Sequence, residues 1–82
     1  MKFSSHARQQ VEERNIQPEL VWETLRNPGQ IVAGGRNRRV AQRVYEREGR
    51  DFLLRVVFCE EGDPEIITVY WTSRISKYWR ES

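Results

Sequence analysis

Residues 70–79 read YWTSRISKYW, with two Tyr, two Trp, an Arg and a Lys in ten positions. Phenols stack on bases and pass protons; guanidinium groups grip phosphate oxygens in pairs. Cleaving RNA through its 2′-hydroxyl needs a base for that proton, cations for the phosphorane charge and an acid for the leaving 5′-oxygen. Arg and Tyr side chains on one face offer the second directly. His6 is the one side chain that titrates near neutrality by default. It sits in a first helical turn, where the dipole favours neutral imidazole, so it is a candidate base. Each of these has a plainer reading. Arg55 can be an ion-pair partner for an acid on a neighbouring strand, and Arg74 a solvated strand end. Tyr70 and Tyr78 can be ordinary packing, and His6 a hydrogen-bonded helix residue.

Twelve of the fourteen basic residues are Arg, and six lie between positions 36 and 50. They are Arg36, Arg38, Arg39, Arg43, Arg47 and Arg50, with only two acids, Glu46 and Glu48, in the same stretch. The other acids concentrate elsewhere, so the charge pattern suggests a positive face more than a positive protein, whose net charge is only +2. Arg36, Arg38, Arg39, Arg43 and Arg47, with Lys77, are candidates for a phosphate-binding rim; the same cluster would also dock an acidic partner or simply solubilise a hairpin.

The totals narrow the classes. Eighty-two residues make one domain, 1–82. With 38% hydrophobic and 32% charged residues the chain should fold. No apolar run approaches the roughly 20 residues of a membrane span, and MKFSSHARQQ lacks a signal-peptide core, so a cytoplasmic protein without a membrane partner is expected. Lone Cys59 rules out an internal disulfide, and no ligand cluster or phosphate loop suggests a metal or other cofactor.

The elements that must position these residues read as helix, helix, then strands. Ser4-Ser5 caps a first helix to about Arg14, and Asn15 ends it. Pro18 opens a second, with Ile16 stapling onto Val21 and Asn27-Pro28-Gly29 as the stop. The period then switches to two over Ile31–Ala33, Arg39–Arg47, Phe52–Cys59 and Ile66–Ser73. Short connections imply antiparallel hairpins, with the very apolar third strand central. The expected fold is α+β, two N-terminal helices on one face of a four-stranded antiparallel sheet. Alternation places Phe52, Leu54, Val56, Phe58, Ile67, Val69, Trp71, Val40 and Val44 beneath the helices. The uncovered face would then carry Arg43, Tyr45, Arg47, Arg55, Tyr70 and Arg74, with Thr68 and Thr72 between them. Tyr78 and Trp79 read as a short tail folded over the edge of the core.

His6-Ala7, Arg14-x-Ile16, Pro18, Val21, Asn27-Pro28, Val69-Tyr70, Arg74 and Tyr78, in that order and spacing, resemble the domain-of-unknown-function family DUF4258, related to the RelE/ParE-like toxin superfamily. The resemblance spans residues 3–79. It implies the ααββββ arrangement reached above, and many relatives in the superfamily are ribonucleases, free or ribosome-dependent, neutralised by a small antitoxin; others poison gyrase. It implies that Arg55, Tyr70, Arg74 and Tyr78 match the cationic and phenolic residues that handle RNA. Only Lys2 and Lys77 represent lysine here, where potent relatives often use several. The leading expectation is a toxin-like RNA-binding domain acting as a metal-independent mRNA endoribonuclease, with RNA or the ribosome and an antitoxin as partners. The competing expectation is a non-catalytic interaction domain using the same face.

Overall fold

The computed structural model describes residues 1–81. Its elements are β1 (Lys2–Phe3), α1 (Ser5–Glu13), α2 (Pro18–Arg26), β2 (Gln30–Ala33), β3 (Arg39–Arg47), β4 (Arg50–Cys59), β5 (Glu65–Thr72) and α3 (Ile75–Tyr78). The four expected strands and two helices are present and the class is α+β. The sheet has a fifth strand, with order β1-β5-β4-β3-β2, and β1 pairs parallel to β5. The sheet is therefore mixed rather than purely antiparallel, and a third helix follows it. Two residues make β1, too few for a period of two to show in sequence.

Local chemistry explains the helices. The Ser4 hydroxyl accepts from the Ala7 N–H at 3.0 Å and donates to the Ile67 carbonyl at 3.1 Å, so one side chain caps α1 and pins it to β5. Asn15 (φ 50°) turns the chain in the left-handed region, and Pro18 supplies the fixed φ of a first helical residue. The helices lie on one face, α1 against β5 and α2 across β3 and β4. Ala7, Val11, Ile16 and Val21 meet Leu54, Val56, Ile66 and Val69 there, with Phe3, Trp22, Tyr45 and Trp71 at the margin. Among the described residues, no helix is long and apolar enough to cross a membrane.

Glu48 (φ 53°) and Gly49 (φ 78°) form a two-residue turn with both φ positive, the type whose twist suits a hairpin. It pairs Arg47 with Arg50 and so sets every partner up the ribbon: Tyr45 with Phe52, Arg43 with Leu54, Ala41 with Val56. Directly paired residues share a face, so Ala41, Arg43, Tyr45 and Arg47 belong on the helix side. This corrects the expected faces of β3. Polarity sends Val40 and Val44 under the helices, but an even-numbered loop pairs odd positions of β3 with even ones of β4. Val40 instead joins Leu53 and Val57 beneath the second face, and Val44 stays 38% exposed. In β5 the register shifts at Val57/Phe58, where Thr68 opposes Val57 and Ile66 opposes Phe58. The extra residue, Ile67, lets Ile66 and Val69 both reach the helix-side core, where Ile67 was expected to be.

The second face is not bare. α3 and the segment after it cross it as a strap. The Gln42 side chain donates to the Tyr78 carbonyl at 3.1 Å. The Gln30 amide accepts from the Arg80 N–H at 3.0 Å and donates to the Arg80 carbonyl. Gly29 is small for the same reason: a Cβ there would stand 2.9 Å from Cη2 of Trp79 and 3.2 Å from the Gln42 carbonyl. Gly29→Ala should therefore loosen the strap and lower stability by about 1–3 kcal/mol, the usual range for overpacking. Urea unfolding together with the Trp79 indole resonance checks this; an unchanged midpoint and resonance would show that the strap has room to spare.

Candidate functional site: an uncompensated arginine under a phenolic strap

β4 carries Arg55 at the centre of the sheet, between Gln42 on β3 and Tyr70 on β5. The residue is only 8% exposed. Its Nε donates to Gln42 Oε1 at 2.9 Å, and one terminal nitrogen donates to the Tyr70 hydroxyl. The guanidinium carbon lies 4.0 Å from the centroid of the Tyr78 ring and 5.7 Å from that of Tyr70. The two phenol rings meet edge to face at 6.5 Å. The acid that a buried cation would normally require is missing: among the described residues, no carboxylate oxygen lies within 4.0 Å of it. Two π-faces, an amide and a hydroxyl solvate the charge in place of a counterion.

Gln42, fully buried, holds this arrangement together. Its oxygen accepts from Arg55, while its nitrogen donates to Gln30 Oε1 at 3.0 Å and to the Tyr78 carbonyl. Sequence reasoning passed over Gln30 and Gln42. A polar residue in the most buried stretch of β3, two positions from Val40 and Val44, is the signal that was available.

The expected site residues divide. Arg55, Tyr70 and Tyr78 come together on the second face. Arg74, exposed, is the N-cap of α3, and Lys77, also exposed, is on the same short helix with its Nζ 5.2 Å from the Tyr78 ring centroid. The Tyr78 phenol is held below the ordinary tyrosine value, chiefly by the adjacent Lys77 ammonium, with further help from Tyr70 and the charge of Arg55. His6 is exposed in the first turn of α1, on the helix side of the sheet, and is not part of this cluster. It is too distant, with the sheet in between, to act as the base there.

The arginine-rich stretch does not form one rim. A nine-residue strand extends about 27 Å from Arg39 to Arg47. Arg36 and Arg38 are exposed in the loop before β3, and Arg39 pairs with Glu60 at 2.8 Å. Arg43 is half-buried on the helix side, donating to the Asn27 carbonyl at 2.8 Å. Arg47 lies over Trp71 on that side, 4.5 Å from the ring centroid. Tyr45, also expected in the open, packs against α2 and donates to Glu23 at 2.7 Å; burial above all raises its phenol pKa. Proximity in sequence became separation in space because β-structure is extended and alternating.

The family is settled by comparison. A family model described as "Domain of unknown function (DUF4258)" matches residues 3–71. The chain belongs to this family. No curated protein and no solved structure matches it. The DUF4258 match takes in Arg55, Gln42 and Tyr70 and ends at Trp71, so Arg74, Lys77 and Tyr78 lie beyond it.

Two consequences are measurable. Lys77→Ala should move the Tyr78 titration upward, toward the ordinary phenol value, while leaving Tyr45 where it is; an ultraviolet difference titration with Tyr78→Phe as the assignment control reads this. Gln42→Leu leaves the Arg55 Nε and the Tyr78 carbonyl without their partner and should cost about 1–3 kcal/mol in urea unfolding. A change within about 0.5 kcal/mol, the ordinary range for surface substitutions, would remove Gln42 from its central role.

Proposed function

We propose that the protein is a toxin-like RNA-binding domain, cytoplasmic, whose phosphate contacts centre on Arg55, Arg74 and Lys77, and whose sharper activity is metal-independent endoribonuclease cleavage. The observation that supports it is the buried guanidinium of Arg55, which has no carboxylate partner among the described residues and is bracketed by the phenols of Tyr70 and Tyr78. A cation held without a counterion keeps its attraction for an incoming anion, and a phosphodiester is the anion whose geometry a guanidinium fork matches. Exposed Arg74 and Lys77 would receive the neighbouring phosphates.

In the catalytic form, Tyr78 as phenolate takes the 2′-hydroxyl proton, since Lys77 and Arg55 already favour its ionised state. The 2′-oxygen attacks phosphorus, Arg55 stabilises the added charge, and the P–O5′ bond breaks to leave a 2′,3′-cyclic phosphate. Tyr70 would protonate the leaving 5′-oxygen; its hydroxyl accepts from Arg55, which leaves the O–H free to donate. RNA or the ribosome is the partner in this reading, and a small antitoxin would cover the same surface.

A second reading, a non-catalytic interaction domain, is favoured by one specific observation: the strap leaves Arg55 only 8% exposed, with its Nε and a terminal nitrogen already bonded. Cleavage requires the Tyr78 ring to move aside, whereas binding through Arg74 and Lys77 does not.

Fluorescence anisotropy with single-stranded RNA tests the binding. An Arg74→Ala/Lys77→Ala double variant, both positions being exposed, should lower affinity and reduce the slope of log K against log salt by about 1.4, two contacts at about 0.7 each. An unchanged slope would overturn the RNA reading. Mapping RNA ends after induction separates the two forms: new 5′-hydroxyl ends that Tyr78→Phe abolishes indicate the nuclease, and intact RNA with a folded protein indicates the interaction domain.

A further inference from the structure

On the opposite side of the sheet, the α1–α2 loop and the first turn of α2 face β3 and β5 across an open cleft of about 350 Å³. Asn15, Gln17 and Leu20 form one wall, and Tyr45, Glu46, Arg47 and Trp71 the other. Its size falls near the bottom of the roughly 300–1,000 Å³ usual for small-molecule sites. Arg47 is already seated as a stacking platform: its guanidinium carbon is 4.5 Å from the Trp71 centroid and 5.6 Å from that of Phe52. Tyr45 braces Trp71 edge to face, with centroids 5.7 Å apart and planes at 85°. Arg47 has no carboxylate within 4.0 Å among the described residues, whereas neighbouring Arg43 lies 3.9 Å from Glu23. The guanidinium is held against the indole while the residue as a whole stays exposed. Two exposed amides, Asn15 and Gln17, supply both donors and acceptors along the rim.

We propose that this cleft binds a nucleobase, stacked on the outer face of the Arg47 guanidinium and held at its edge by the Asn15 and Gln17 amides. Planar heterocycles stack on guanidinium planes as they do on aromatic rings, and a base presents the mixed donors and acceptors that amides satisfy. The cleft adjoins the end of β5 that leads into Arg74, so Trp71 and Tyr70, adjacent in sequence, serve opposite faces of one strand. As regards its natural ligand the inference rests on the RNA reading above: one single strand would place a phosphate on the strap side and a base on the helix side. The base site itself is testable without RNA.

The test titrates the full chain with adenosine 5′-monophosphate and, separately, with ribose 5-phosphate, following the Trp71 indole resonance. The nucleotide should shift it and the sugar phosphate should not. Arg47→Lys keeps the charge but loses the plane, and should weaken nucleotide binding at least about fivefold, the lower end of what a base stack contributes. Gln17→Ala, at an exposed cap whose side chain makes no capping bond, should weaken it as well. No shift with the nucleotide, an equal shift with ribose 5-phosphate, or wild-type affinity in Arg47→Lys would each overturn the proposal. If the nucleotide binds as described while single-stranded RNA does not, the base site stands and the RNA reading falls.

Discussion

One buried charge organises the second half of this molecule. Arg55 sits at the middle of the central strand, and no carboxylate pairs with it among the described residues. Removing a guanidinium from water is expensive unless its donors are satisfied and its charge is delocalised over polarizable neighbours. Here the neighbours are Gln42, Tyr70 and the Tyr78 ring, and Tyr78 is available only because the chain turns back after β5. The strap and the cation thus depend on one another. Without α3 the charge would lose the nearer of its two π-faces; without the charge the strap would lose its central anchor and keep the amide contacts of Gln30 and Gln42.

The sheet separates two arginine–aromatic arrangements that look alike in composition. On the strap side a buried guanidinium contacts two phenols. On the helix side an exposed guanidinium lies on an indole and a phenyl ring. The first is solvent-poor, with its guanidinium donors already engaged. The second is open on one side, which suits stacking. Alternation along β4 and β5 assigns them to opposite faces: Leu54 pairs with Trp71 and Arg55 with Tyr70, so a single step along each strand exchanges core for site.

Much of the fold was legible in residues with strong local meaning. Ser4 as a cap, Asn15 as a terminator and Pro18 as a first helical residue all act through backbone geometry within a few positions. The candidate site was legible in part. Arg55, Tyr70 and Tyr78 stand out by type and do meet. Gln42 and Gln30 carry no chemistry of their own and become visible only when the strap lands on them. The faces of β3 were misread because Val40 and Val44 are apolar, while Arg43, Tyr45 and Arg47 reach the helix side by keeping their polar ends at its margin.

What the chain determines by itself is therefore local and additive: helix ends, turn parity, the apolar run of β4 and the family to which residues 3–71 belong. What the tertiary structure decided is which residues share a surface. Arg39 and Arg47 are near in sequence and a strand-length apart in space, whereas Gln30 and Arg80, fifty positions apart, are hydrogen-bonded. Strand extension pulls neighbours apart and chain reversal brings distant residues together, and both depend on how the sheet closes rather than on any one segment.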